Sequence, residues 1–199
     1  MKMLDIFSLT SGLASVHRFS TVRLLRRESV LEHTGMVVLF CYFLGNHFKV
    51  NLGQLLSKAT VHDFDEFITG DISRPTKYSS EDMRNRFGEL EKNGMSKLSA
   101  LLANGKLFED YVSAKQDFDG KIVAFADLAA VVYKVWDEVL LQNNYLMVRQ
   151  AINIRNYLRS FMEKNPEFSI FGFELMLILD KACALEQPYH RTIREEELI

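Results

Sequence analysis

The stretch IVAFADLAAVVYKVWDEVLL, residues 122–141, has four charged side chains in twenty positions: Asp127, Lys134, Asp137 and Glu138. A helix apolar around nearly its whole circumference offers no face to water and belongs inside a protein. The segment is therefore read as the most buried helix of an all-α bundle. Asp127 interrupts it in AFADLAAV, and burying an unpaired carboxylate is expensive, so it needs a cation, a donor or a metal. Lys134 follows two helical turns later on the same face and can reach toward the same pocket, or snorkel to the surface.

Working outward, Ser29 is an N-cap with Glu32 three positions on, a capping box opening a helix over 29–48. Gly53 to Phe67 reads as a second helix ended near Gly70, and SSED opens a surface helix over 79–104. Asp119-Gly120 is read as a chain break before the buried helix, and helices over 145–163 and 168–185 close the fold. No strand-type alternation, internal repeat or linker stands out. The expected architecture is a single domain, 1–199, with its core at about 15–140 and C-terminal helices over 145–187 packing on it.

Composition narrows the function classes. At 199 residues and 48% hydrophobic, the chain fits one globular domain. Its 24 basic and 26 acidic residues leave a net charge of -2, without the field that draws in a nucleic acid polymer. Cys41 and Cys183 sit in apolar runs and read as free thiols in a reducing compartment. The N-terminus lacks a signal peptide's basic start and long apolar core, and Met36–Leu44 falls short of the roughly 18 residues of a membrane span. A cytoplasmic protein without membrane association is expected.

Four groups interrupt the apolar helices: His33, His62, Asp63 and Asp127. His62 and Asp63 are adjacent, so on a helix their side chains diverge by about 100° and can grip one ion from neighbouring directions. His33 and Asp127 can approach from two other helices. Two imidazoles and two carboxylates suit a divalent ion such as Mn, Co, Ni, Zn or Fe better than calcium. Glu66 lies one turn past His62 and Asp63, where its carboxylate can orient or deprotonate an attacking water or pass a proton to a leaving oxygen. Asp71, after the turn at Gly70, suits either a helix cap or the reaction centre. Asp65 points away from the Asp63–Glu66 side and reads as solvated or paired with a nearby base.

These residues carry a resemblance. The order H…HD…D is the signature of the HD-domain metal phosphohydrolases. HRFSTVRLLRRESVLEH, residues 17–33, resembles the opening block of the bacterial 5′-deoxynucleotidases, and HDFDEFITGDISRPTKY, residues 62–78, resembles their HDxxExxxGDxxxPxKY block. ADLAAVVYK, residues 126–134, is similar to their AD…K helix, and the phage dATP triphosphohydrolases share much of the pattern. The resemblance implies a compact HD-domain helical bundle and a divalent metal ion (Co, Mn, Zn, Ni, Fe or Mg) held by His33, His62, Asp63 and Asp127. It implies Glu66 and Asp71 at the reaction centre, and Arg18, Phe19, Lys77 and Lys134 on the substrate.

The implied activity is hydrolysis of a deoxyribonucleotide at its 5′ (α) phosphorus. A monophosphate gives deoxynucleoside and phosphate, the favoured reading; a triphosphate gives deoxynucleoside and triphosphate. A non-catalytic nucleotide-binding HD module is a third reading, though neither a ligand nor Glu66 is lost. The resemblance also implies a homo-oligomer, dimer or higher. Phe19 departs from the family's usual tryptophan: it keeps a flat apolar wall against the sugar but loses bulk and the indole N–H, loosening exclusion of a 2′-hydroxyl.

Overall fold

The computed structural model describes residues 2–186, so residue 187, the expected end of the last helix, lies outside them. Among the described residues every regular element is helical: α1 Met3–Ser15, α2 Val30–Phe48, α3 Leu52–Val61, α4 Glu66–Thr69, α5 Arg74–Lys77, α6 Glu81–Leu101, α7 Gly105–Ser113, α8 Asp117–Val135, α9 Val148–Lys164 and α10 Ser169–Cys183. The one β feature among them is an isolated antiparallel bridge, His17 to Ser29. The all-α expectation holds. None of these helices is long and apolar enough to cross a membrane. Among the described residues the chain gathers into two compact units, one of residues up to Thr21 with Arg27–Asp127, the other of Val22–Arg26 with the residues from Leu128 on. The boundary falls inside α8.

In the first unit, α2 starts where the capping box requires. Ser29 Oγ accepts from the Glu32 amide at 3.2 Å and Glu32 Oε2 accepts from the Ser29 amide at 2.8 Å. Leu9 and Leu13 of α1, Val30, Val61, and Met95 and Leu98 of α6 form the core, with Phe64 and Phe67 packed against it. These phenylalanines flank the acidic residues of 63–66, so apolar burial fixes the backbone that presents them.

Two expectations need correcting. The helix expected over 53–67 stops at Val61, turns through His62–Asp65 and restarts as α4. In a continued helix the Ala59 carbonyl would receive the Asp63 amide; instead it takes His62 Nδ1 at 2.7 Å. The backbone switches to i→i−3 bonds, Phe64 N to Val61 O at 3.2 Å and Glu66 N to Asp63 O at 3.1 Å. Nor does Asp119-Gly120 break the chain, since α8 already begins at Asp117, with φ 58. A Cβ on Gly120 would meet the Lys115 carbonyl carbon at 2.7 Å, so this glycine serves a close backbone approach in the first helical turn. Helices α1 and α7 were not anticipated.

In the second unit α9 packs on α10, burying Leu158, Met162, Phe168 and Leu179. After α8 the backbone widens into a π-helix, Trp136–Leu141, which carries Glu138.

Candidate active site

The residues that converge all lie in the first unit. His33 stands in the first turn of α2, His62 caps α3, Asp63 follows in the turn and Asp127 projects from α8. His33 Nε2 is 3.0 Å from Asp127 Oδ1 and 3.6 Å from Asp63 Oδ2, and His62 Nε2 is 3.1 Å from Asp63 Oδ2. One ligand atom each from His33, His62 and Asp127 fall within 4.8 Å of one another. Asp63 is outside that tight trio yet touches both imidazoles. Two atoms about 2.0–2.2 Å from one ion and 90–110° apart lie roughly 2.9–3.6 Å from each other, the range seen here.

The hydrogen-bond accounting points the same way. His33 Nε2, His62 Nε2 and Asp127 Oδ1 are buried without a hydrogen-bond partner; the 3.0 Å approach of His33 to Asp127 is not aligned as one. Three orphaned ligand atoms aimed at a common point are costly unless something electrophilic joins them. Because the Ala59 carbonyl can only accept, His62 Nδ1 carries a proton, so Nε2 is the nitrogen able to offer a lone pair to an ion. This donor set fits a divalent metal ion.

Charge follows from the packing. Burial, then the Arg18 cation, hold the His33 imidazole down to about 4, so it is neutral at neutral pH. Burial works against a His62 cation, but Asp63 foremost outweighs it and the net direction is up. Burial would also raise Asp127, yet the His33 contact and Arg18 bring it down to about 2. His62, then His33 and Arg18, overcome burial and keep Asp63 well below the usual carboxylate range. Both acids are therefore ionised.

Glu66, first residue of α4, has a buried Oε2 without a hydrogen-bond partner. Burial, then the Asp63 charge, push it up to about 9, so by itself it holds a proton at neutral pH. Asp71 lies outside any helix, and its Oδ2 accepts the Phe19 amide at 2.8 Å. Asp65, expected to be solvated or paired with a nearby base, is 6% exposed. Burial, with Asp63 and Glu91, raises it to about 6.

On the substrate side, Arg18 Nη2 lies 3.8 Å from Asp127 Oδ1, and its buried Nη1 has no hydrogen-bond partner. Nη1 faces Glu28 Oε2 at 3.7 Å, so Nη2 is the end of the guanidinium turned toward the ligand cluster. Phe19 is half-buried, its ring centroid 5.6 Å from the Arg18 guanidinium carbon. Lys77 Nζ meets Glu91 of α6 at 2.5 Å. Lys134 has a different company from that expected: in the second unit its ammonium, 3% exposed, pairs with Glu138 Oε1 at 3.0 Å and donates to the Arg26 carbonyl.

Sequence reasoning passed over Glu28, Glu91 and Glu138. Glu28 is 5% exposed, its Oε2 3.7 Å from Arg18 Nη1 and 3.9 Å from His33 Nδ1, so it braces both. Its signal was its place in RESVLEH, inside the family block. Glu91 meets Lys77 from 14 positions away. Glu138, though Lys134 lies one turn before it, takes the Leu25 and Arg26 amides from more than 110 positions away, so neither set of partners is legible locally.

A family model described as 5′-deoxynucleotidase YfbR-like matches residues 5–177. The 5′-deoxynucleotidase YfbR of Escherichia coli strain K12 is 25% identical over 197 residues, covering 91% of this chain and 96% of its own. Among solved structures, an HD-domain phosphohydrolase from Listeria innocua aligns with TM-score 0.62 at 20% identity, over 94% of this chain and all of its own. The cyanophage S-2L HD phosphohydrolase DatZ, bound to dA and one catalytic Zn2+ ion, aligns with TM-score 0.55 at 16% identity, over 94% of this chain and 98% of its own.

Proposed function

This chain belongs to the YfbR-like 5′-deoxynucleotidase family, a group of HD-type hydrolases acting on deoxynucleotides, and from that membership we propose a specific reaction for it. It is a divalent-metal-dependent 5′-deoxynucleotidase that cleaves a deoxynucleoside monophosphate into deoxynucleoside and inorganic phosphate. The observation that carries the reading is the convergence of orphaned His33, His62 and Asp127 ligand atoms beside the Arg18 guanidinium.

His33, His62, Asp63 and Asp127 would hold the ion. When bound, such an ion polarises a phosphoryl oxygen and makes water a nucleophile at neutral pH. Arg18 binds the phosphate and neutralises charge that builds on its oxygens, and Lys77 can assist if it leaves Glu91. Water attacks phosphorus, the bond from phosphorus to the 5′-oxygen breaks, and a proton reaches that oxygen. Glu66 manages the proton, and its raised affinity suits it to deliver one. Phe19 lies against the sugar.

We further propose a cytoplasmic homo-oligomer, dimer or larger. The free thiols Cys41 and Cys183 fit a reducing compartment. Ile170, Phe173 and Leu177, each 64% exposed, form an apolar stripe on α10 that a second copy would cover. Light scattering tests the assembly.

Product analysis tests the reaction. With Mn or Co present, dAMP should yield phosphate and deoxyadenosine, and AMP should react more slowly. Release of triphosphate from dATP, with dAMP inert, would replace this reading with a triphosphohydrolase. Turnover of neither would leave a nucleotide-binding module.

A further inference from the structure

Lys58 of α3 is 0% exposed, an ammonium-bearing side chain taken wholly out of water. Its Nζ donates to both carboxylate oxygens of Asp117, at 2.9 and 2.7 Å, and Asp117 is the first residue of α8. Such a pair is a poor source of stability, because desolvating the ammonium costs several kcal/mol and well-packed apolar side chains often do as well or better. What a directional pair supplies is register between the two elements it joins. The Asp117 end is rigid within α8. Its Oδ1 also accepts the Gly120 amide at 3.1 Å, and its backbone is left-handed at φ 58, a conformation aspartate tolerates better than most residues. Each of the two helices also delivers a residue to the ligand cluster. His62 lies one turn after Lys58, its ring fastened to the carbonyl of Ala59, the residue next to Lys58. Asp127 follows Asp117 on α8, about 15 Å along the axis. Within the first unit, α3 and α8 therefore meet at Lys58–Asp117 and again where His62 and Asp127 bring ligand atoms within 4.8 Å.

We propose that Lys58 is a positioning residue for the metal site: its buried ion pair with Asp117 sets the register of α8 against α3 and so holds Asp127 at binding distance from His62. This rests on the metal-dependent reading above. The tolerance at the site is narrow. A slip of one residue along α8 moves Asp127 by about 1.5 Å and turns it by about 100°, whereas an ion holds its ligands at about 2.0–2.2 Å. A pair that forbids the slip spares the ion the work of gathering its own ligands, so it should show in metal affinity more than in the stability of the fold.

The test uses the full chain as wild type, K58M and D117N. Methionine fills nearly the volume of lysine without its charge, and Asp117, 53% exposed, is left hydrated rather than stranded. D117N keeps the acceptor for the Gly120 amide and gives up the charge. Each metal-free protein is titrated with Mn2+ by calorimetry and unfolded in urea, and each is assayed on dAMP at saturating Mn2+. K58M should bind Mn2+ about tenfold more weakly, the order of a typical coupling between linked sites, and D117N should shift the same way. At saturating Mn2+ both should keep kcat close to wild type, because the bound ion then gathers the ligands itself. A pair that is only structural would lower the urea stability and leave the Mn2+ Kd of the folded protein unchanged, and that result would overturn the inference. A collapse of kcat at saturating Mn2+ would also overturn it. If K58M does not fold, D117N decides: a wild-type Kd there sinks the proposal. A wild type that binds Mn2+ but leaves dAMP intact, with weaker binding in the variants, would overturn the proposed reaction and uphold the positioning role. A wild type that binds no Mn2+ would overturn both.

Discussion

Replacing Glu138 by glutamine should destabilise the protein by about 3 kcal/mol at neutral pH, with a pH signature that identifies the cause. Glu138 is 0% exposed and sits in the π-helix after α8. Its Oε2 accepts the Leu25 amide at 2.9 Å and Asn144 Nδ2 at 2.7 Å; its Oε1 accepts the Arg26 amide at 2.9 Å and lies 3.0 Å from Lys134 Nζ. Burial pushes this carboxyl up, but the Leu25 amide, Asn144, the Arg26 amide and Lys134 overcome it. The result is about 2 against an ordinary 4.5. At about 1.4 kcal/mol per unit, that difference corresponds to the 3 kcal/mol. Because the folded-state value lies below the unfolded one, the contribution is complete above pH 4.5 and disappears as pH falls toward 2. Urea melts of wild type and E138Q between pH 7 and pH 2.5 measure it. The gap should be full at pH 7 and narrow steadily below pH 4.5. The double variant K134M/E138Q should recover part of the loss, since no buried ammonium is then stranded. A gap below about 0.5 kcal/mol, the size of an ordinary surface substitution, or one constant across the pH range, would refute the reasoning.

Other consequences are open to direct measurement. Asp127→Asn should lower the bound divalent metal, read by metal analysis of the purified protein. Glu66→Ala should retain the metal but lose on the order of a hundredfold in turnover; equal metal loss in both would show that Glu66 is a ligand. Ser29→Ala removes the cap of α2 one turn before His33 and should cost about 1 kcal/mol in thermal or urea unfolding. Gly120→Ala presses a Cβ against the Lys115 carbonyl carbon at 2.7 Å and should destabilise by about 1–3 kcal/mol by the same assays.

Much of this protein is legible in its sequence. The apolar run over 122–141 announced a buried helix, and Ser29 with Glu32 announced where α2 begins, because both signals are periodic or local. The motif H…HD…D named His33, His62, Asp63 and Asp127, since the chemistry of holding a divalent ion restricts which residue types serve. The helix reading over 53–67 failed at the centre of that motif. Nothing in local propensity says that the His62 ring will take the Ala59 carbonyl and turn the chain there. Asp65 was misread for a related reason: it was assigned to the outer side from the phase of a continuous helix, yet the chain turns there and the packing of Phe64 and Phe67 draws the segment inward.

By itself, then, the sequence determined the all-α class, the start of α2 and the inventory of histidine and acidic side chains suited to a divalent ion. These depend on interactions within a few residues or on the chemistry of single side chains. Only the tertiary structure decided who meets whom. Asp71 reaches the Phe19 amide across 52 positions, and Glu138 reaches the Leu25 amide across 113. Lys134, expected at the phosphate, donates to the Arg26 carbonyl 108 positions away. Such partners are chosen by which surfaces must be buried together, and a carboxylate trapped among amide donors has no signature in its own neighbourhood of the chain.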